Sequence, residues 1–288
     1  MSRTLLKSVC KAMERIAPLR LAEKWDNVGL LLESPIEKQK PGNVLLTIDL
    51  TSAVLAEALT QDASVIVSYH PTIFSGLKSM TLSNPLQKSL LSCAAQGISV
   101  YSPHTSLDSV WGGINDWLAE GLMKGKDDGQ IRALVGEKLS PATGESEGAE
   151  GRLITLNEPI GMDVLEKRIK SHLNLSKIQV GYPADGCSSS TVRSIAICAG
   201  SGGSMLLGKE ADVYFTGEMS HHEVLAAVAA GKHVILCGHT NTERGYLPIL
   251  AAKLQAELRA TNSEPRDHGM EEVRVIVSQK DKHPLEIV

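Results

Sequence analysis

Aromatic residues are scarce in this chain: five Tyr, three Trp and two Phe among 288 residues. So few rings leave no obvious platform for stacking nucleic-acid bases. Positive charge is not in excess either. Twenty-nine Lys and Arg stand against 33 Asp and Glu, a formal charge of -4, whereas a dedicated nucleic-acid binder carries a basic patch. Direct nucleic-acid binding is therefore not expected. No apolar stretch reaches the roughly 18 residues of a membrane-spanning helix, and the uncharged run Ser194–Gly208 is broken by glycines and serines. The chain reads as soluble, with no membrane partner. Cysteine is also sparse. Cys10, Cys93, Cys187, Cys198 and Cys237 are odd in number and widely spaced, with no CxxC pair, which fits reduced thiols better than disulfides or a thiolate zinc site.

What is present is an alternation of short apolar strands with helical segments. Val44–Ile48, Val65–Ser68 and Ile98–Tyr101 read as strands, and helices follow Thr51 and Asn84, both good caps. At the start of the chain, Arg3, Lys7, Lys11, Arg15 and Arg20 could belong to a mitochondrial address. Leu5, Leu6, Val9, Met13 and Ile16 recur at helical spacing, and a first domain helix is the reading taken. After residue 125 the pattern lapses through the glycine- and acid-rich stretch Pro141–Gly151, expected to be a flexible connection. Alternation then resumes, with strands Ile195–Ala199, Val213–Thr216 and Val234–Cys237 and a long helix from Glu243 to Ala260. The expected fold class is α/β: two related lobes, residues 1–124 and 152–288, with mostly parallel sheets flanked by helices and joined by residues 125–151.

Three histidines sit at equivalent places. His70, His104 and His239 each follow an apolar strand, and the carboxyl ends of parallel strands are where open α/β sheets bind ligands. His104-Thr105-Ser106-Leu107-Asp108 and His239-Thr240-Asn241-Thr242-Glu243 share the form H-T-x-x-acid. On a helical turn, positions i and i+4 face the same way, so each pair can present an imidazole with a carboxylate. Such donors suit a divalent ion such as zinc, iron or manganese. A lone strand-end histidine is more often a hydrogen-bonding group; the set together favours metal. Glu218 follows the strand Val213–Thr216 at the same edge and is a candidate base or supporting group, as is His104. Gly200-Ser201-Gly202-Gly203-Ser204 reads as a tight turn rather than a phosphate cradle, since Met205 stands where a third glycine would be needed. Trp25-Asp26-Asn27 reads as a turn packed on the sheet, His221-His222 as surface, and Cys198 and Cys237 as inert core thiols.

Taken in order, these motifs resemble the Nif-three-like family (NGG-one-interacting factor three), also catalogued under the type two GTP cyclohydrolase I name. Trp25-Asp26-Asn27-Val28-Gly29-Leu30, Ser68-Tyr69-His70-Pro71, His104-Thr105-Ser106-Leu107-Asp108, Gly112-Gly113-Ile114-Asn115-Asp116, Thr216-Gly217-Glu218 and Gly238-His239-Thr240-Asn241-Thr242-Glu243 carry the resemblance. It implies two lobes with a two-metal site in the cleft between them. By that resemblance His70 and Asp108 would hold one ion, His239 the other, Glu243 would bridge, and His104 would line or ligate the same pocket. Tyr69 stands where many members have a further histidine, as in the eukaryotic branch, so one or two ions per subunit are expected. The resemblance further implies a homo-oligomer, suggested to be a hexamer, and either a metal-dependent hydrolase of a nucleotide-like substrate or a non-enzymatic metal-binding regulator with a protein partner. Cytoplasmic localisation is the default, with nucleus or mitochondrion as alternatives.

Overall fold

A computed structural model describes residues 2–261 and 273–286. The chain forms two compact units: Met1–Leu107 with Tyr246–Pro284, and Asp108–Gly245 with Leu285–Val288. Each is an α/β assembly with its own sheet.

In the first unit the strands are β1 (Gly29–Leu32), β2 (Asn43–Thr47), β3 (Ala63–Ser68), β4 (Ser99–Ser102) and β11 (Val275–Val277), in the order β1-β4-β3-β2-β11. All neighbours run parallel except β1 against β4. Val44, Leu45, Val65, Ile66 and Val100 have no solvent exposure, as expected of strands covered on both faces, and each such side chain contributes about 1.5–3 kcal/mol through burial. Helix α1 (Ser2–Ile16) buries Leu5, Leu6, Val9 and Met13 and packs on α9 (Leu247–Thr261). Helix α2 (Ser52–Thr60) is capped by the Thr51 side chain, which accepts from the Val54 N–H, and α3 (Pro85–Ala95) by Asn84.

The second unit holds β5 (Gly129–Leu139), β6 (Ser146–Gly161), β7 (Gln179–Gly181), β8 (Thr191–Ser201), β9 (Val213–Glu218) and β10 (His233–Leu236), ordered β5-β6-β8-β9-β10-β7. Only β8, β9 and β10 are mutually parallel; β5, β6 and β7 add antiparallel edges. Helices α5 (Ile114–Leu122), α6 (Met162–Leu173) and α8 (His221–Ala229) flank them, with the short turns α4 (His104–Ser109) and α7 (Gly203–Leu206).

Three expectations need correction. Residues 125–151 are not a flexible connection: most of them build the β5–β6 hairpin, because a backbone ladder needs no apolar side chains. Gly148 sits so close to the Ser109 carbonyl that a Cβ there would lie 2.3 Å from its oxygen. Nor do the units divide at residues 125–151: the second begins at Asp108, and the chain returns to the first at Tyr246. Finally, the long helix starts at Leu247 rather than Glu243. Residues His239–Thr242 and Arg244–Tyr246 form tighter 3-10 turns, and Glu243 lies between them.

Candidate metal centre

In the first unit the site begins at the carboxyl ends of β3 and β4, neighbouring parallel strands. The turn after β3 is fixed by the backbone. Tyr69 N–H donates to the Thr47 carbonyl (2.8 Å) and His70 N–H to that of Ile48 (3.0 Å). Ser102 Oγ, at the end of β4, donates to the Tyr69 carbonyl at 2.8 Å. These bonds bring the rings of His70 and His104 to 5.5 Å between centroids, with buried Tyr69 packed edge-on against His104 at 5.4 Å. His70 Nδ1 lies 2.9 Å from Asp49 Oδ1. His104 Nδ1 lies 2.8 Å from both carboxylate oxygens of Asp26.

Sequence reasoning missed both carboxylates. Asp49 follows β2 after Ile48, so the strand-end rule that singled out the histidines could have found it. Asp26 lies in the segment that the sequence marks as a turn packed on the sheet. Instead Asn27 Nδ2 donates to the Ile73 carbonyl at 2.5 Å and Trp25 stays 61% exposed, its ring 6.0 Å from that of Phe74 and 6.1 Å from His104. Burial works against ionisation of Asp26, but the hydrogen bonds from His104 and Thr105 and the histidine charge outweigh it and hold its pKa below the ordinary value.

In the second unit the carboxyl ends of β8, β9 and β10 converge. Gly238 N–H donates to the Gly217 carbonyl (2.8 Å) as the chain leaves β10, and Gly238 adopts φ +85°, a conformation that favours glycine. His239 follows. Its Nδ1 is 2.9 Å from Glu218 Oε1 and its Nε2 is 3.2 Å from Glu243 Oε1, so the imidazole–carboxylate pair expected from H-T-x-x-acid forms here. Glu243 is 1% exposed. Thr242 ties the turn to β8: its hydroxyl donates to the His239 carbonyl (2.7 Å) and accepts the Gly200 N–H (2.9 Å). Asn115 links in as well, accepting from Ala199 N–H (2.9 Å) and donating to the Asp108 carbonyl (3.1 Å).

The glycine-rich turn after β8 acquires a role from this geometry. Gly200 has φ +66°, and a Cβ on it would lie 2.7 Å from Glu243 Oε1 and 3.0 Å from His239 Nε2. The absent side chain leaves open the space that both donors face, so the residues fit a divalent ion bound by imidazole nitrogen and carboxylate oxygen. Within the second unit, His239 and Glu243 are donors that could take part in holding an ion. His104 directs Nδ1 at Asp26. His221 and His222 lie exposed at the start of α8, behind a capping box made by Ser220 and Glu223. Cys198 and Cys237 are buried, and burial raises both thiols, that of Cys237 to about 12, in keeping with inert core residues. Cys187, by contrast, is exposed. Among the described residues, no helix is long and apolar enough to cross a membrane.

Residues 4–284 match the family model described as Duf34/NIF3 (NGG1p interacting factor 3). The chain is 45% identical to the protein NIF3 homolog of Schizosaccharomyces pombe, over 96% of this chain and 95% of that protein. It is 40% identical to NIF3-like protein 1 of Drosophila melanogaster, over 97% and 88%. The crystal structure of a Bacillus cereus protein related to NIF3 superposes with a TM-score of 0.79 at 20% identity, over 98% of both chains, a likeness of fold.

Proposed function

The chain belongs to the Duf34/NIF3 family, and from that premise we propose that it is a divalent-metal-dependent hydrolase of a small, nucleotide-like substrate. The observation that carries this reading is the cradle at Gly200, where buried Glu243 and His239 stand 3.2 Å apart. His70, Asp108, His239 and Glu243 would hold zinc, iron or manganese, with His104 as a further candidate. Such an ion, when bound, polarises a substrate oxygen and acidifies water. The chain's own residues divide the remaining work. Glu218 orients His239 through Nδ1 and can accept a proton at the exposed edge of the site. Trp25 and Phe74, exposed side by side next to His104, offer ring faces on which a planar base can stack.

The test is a panel of nucleotides and other phosphorylated small molecules, incubated with tag-free protein whose metal content has been measured by elemental analysis. Turnover is expected with at least one member, lost on chelation and in His239→Ala. Turnover that His239→Ala leaves unchanged would remove the hydrolase reading.

Tyr69 bears on how many ions are held. A neutral phenol, with its ordinary pKa near 10, is a poor metal ligand, and this one is buried between His70 and His104. Tyr69→His is therefore expected to bind an additional equivalent of zinc or manganese per chain. Unchanged stoichiometry in a folded variant would mean that Tyr69 does not limit the site.

A second reading, a metal-binding interaction protein, draws support from the family's description as an NGG1p interacting factor. An apolar hollow of about 470 Å³ between α2 and α3, lined in part by exposed Leu59 and Leu82, supplies a surface for it. In that case Leu59→Glu would abolish co-purification of a partner while His239→Ala would not. The homo-oligomer that the family suggests is read from the same preparation by light scattering.

A further inference from the structure

Asp26 has the most enclosed carboxylate beside the candidate site, its side chain wholly withdrawn from solvent. Most contacts on it come from the turn that opens α4, and Oδ1 also accepts the Asn27 backbone N–H at 2.8 Å. Oδ2 accepts the Thr105 backbone N–H at 3.1 Å and the Thr105 hydroxyl at 2.5 Å, and His104 Nδ1 lies 2.8 Å from each oxygen. His104 has φ +30°, in the left-handed region that a non-glycine residue occupies at a cost. Asp26 holds the residue there through its neighbour, while Thr105 Oγ1 in turn accepts from the Glu23 N–H at 2.9 Å.

The proton arrangement follows from donor and acceptor counts. An ionised carboxylate only accepts, and a neutral imidazole carries one N–H. With Nδ1 against Asp26, that hydrogen is on Nδ1 and the lone pair is on Nε2, at the opposite side of the ring. We infer that Asp26 is a positioning residue that fixes the Nδ1–H tautomer and the plane of His104, leaving Nε2 unprotonated as the atom that serves the site. This rests on the reading of the site given above only for the use to which Nε2 is put; the tautomer stands on Asp26 alone.

The asymmetry of the contacts makes one isosteric substitution informative. Both Thr105 donors converge on Oδ2. In Asp26→Asn the amide oxygen takes that position, because an NH₂ there would face two donors, whereas at Oδ1 it faces one, the Asn27 N–H. The NH₂ group then faces His104 Nδ1, which must become the acceptor, and the ring hydrogen moves to Nε2. The side chain keeps its shape, the Asn27 N–H loses its acceptor, and the ring proton moves.

The experiment is ¹⁵N NMR of histidine-labelled, metal-free full-length protein, at a pH where the imidazole is neutral, with the His104 signals assigned by their loss in His104→Gln. The expected spectrum of the parent protein has a pyridine-type Nε2 and a pyrrole-type Nδ1, and Asp26→Asn exchanges the two. Thr105→Val, which keeps the carboxylate, should retain the parent tautomer and provides the contrast should Asp26→Asn fail to fold. A pyrrole-type Nε2 in the parent, or loss of the parent tautomer in Thr105→Val, overturns the inference; so does a parent-like spectrum for folded Asp26→Asn. Zinc affinity is the separate readout for the site. A 10–100-fold loss in Asp26→Asn is expected for a group that orients a ligand. A parent protein that takes up no metal, yet shows the expected tautomer, would sink the metal reading and leave the role of Asp26 intact.

Discussion

Arg152→Met should destabilise the second unit by about 3–5 kcal/mol, the range for breaking a buried ion pair from one side. Arg152 has no solvent exposure. Its Nε and Nη2 donate to the two oxygens of Asp116 at 3.0 and 2.6 Å, and its remaining hydrogens reach the carbonyls of Ala149, Gly151, Ser109 and Val110. The guanidinium also lies 4.0 Å over the Trp111 ring. One planar fork thus joins β6 to the end of α4, the turn after it and the start of α5, next to Asp108 and Asn115. Methionine fills similar space but leaves the buried Asp116 charge without its cation and removes a donor from the carbonyls of Ala149, Gly151, Ser109 and Val110. Lysine keeps the charge and loses the fork, so Arg152→Lys should fall between the two. Urea denaturation followed by Trp111 and Trp117 fluorescence reports on this unit. In the double variant Arg152→Met/Asp116→Asn part of the loss should return, because no isolated charge stays buried. A loss below about 1 kcal/mol in Arg152→Met would show that the pair contributes little beyond its desolvation cost.

The second large effect is expected at Gly200. Valine there places a Cβ within 2.7 Å of Glu243 Oε1 and 3.0 Å of His239 Nε2, so the donors must separate and the space between them fills. Zinc affinity, measured by competition with a chromophoric chelator, should fall on the order of 100-fold or more, beyond what disturbing a supporting residue typically does. The backbone at φ +66° adds about 1–2 kcal/mol of instability for any residue with a Cβ, too little to unfold a domain of ordinary stability. Circular dichroism should therefore remain that of the parent. Gly200→Ala bears the same backbone strain with less bulk and should bind more tightly than valine. If Gly200→Val binds zinc as the parent does, the ion is held elsewhere.

Much of this site was legible because strand ends are legible. Apolar runs such as Val65–Ser68 and Val234–Cys237 announce buried parallel strands, and a polar residue directly after each has to emerge at the sheet's carboxyl edge. His70, His104, His239 and Glu218 all follow that rule. The supporting carboxylates were harder for different reasons. Asp49 obeys the rule but is not a histidine, and acids are too common for one to stand out. Asp26 reaches His104 across 78 residues of sequence, and no local pattern encodes that pairing. Gly200 looked like a turn and is one; its further role depends on which side chains face it, which spacing cannot reveal. The β5–β6 hairpin was concealed by composition. Its residues Glu145–Gly151 are mostly glycines and acids, with few side chains to bury, yet its ladder forms on backbone groups, and the core residue that anchors it is an arginine.

The parallel pairing of β11 with β2 has a consequence for biosynthesis. Chains emerge from the ribosome amino end first and their domains tend to fold as units. Here the segment that ends at Leu107 emerges before Asp108–Gly245 yet belongs to the unit that is finished later, since α9 and β11 arrive only after Gly245. The segment Asp108–Gly245 contains all six strands of its sheet and can close while α9 is still being synthesised. Until residues 275–277 are released, nascent β2 presents an unpaired edge of apolar backbone, the kind of surface that recruits wrong partners. The period of greatest exposure to chaperones therefore falls late in synthesis and on the earliest-made part of the chain.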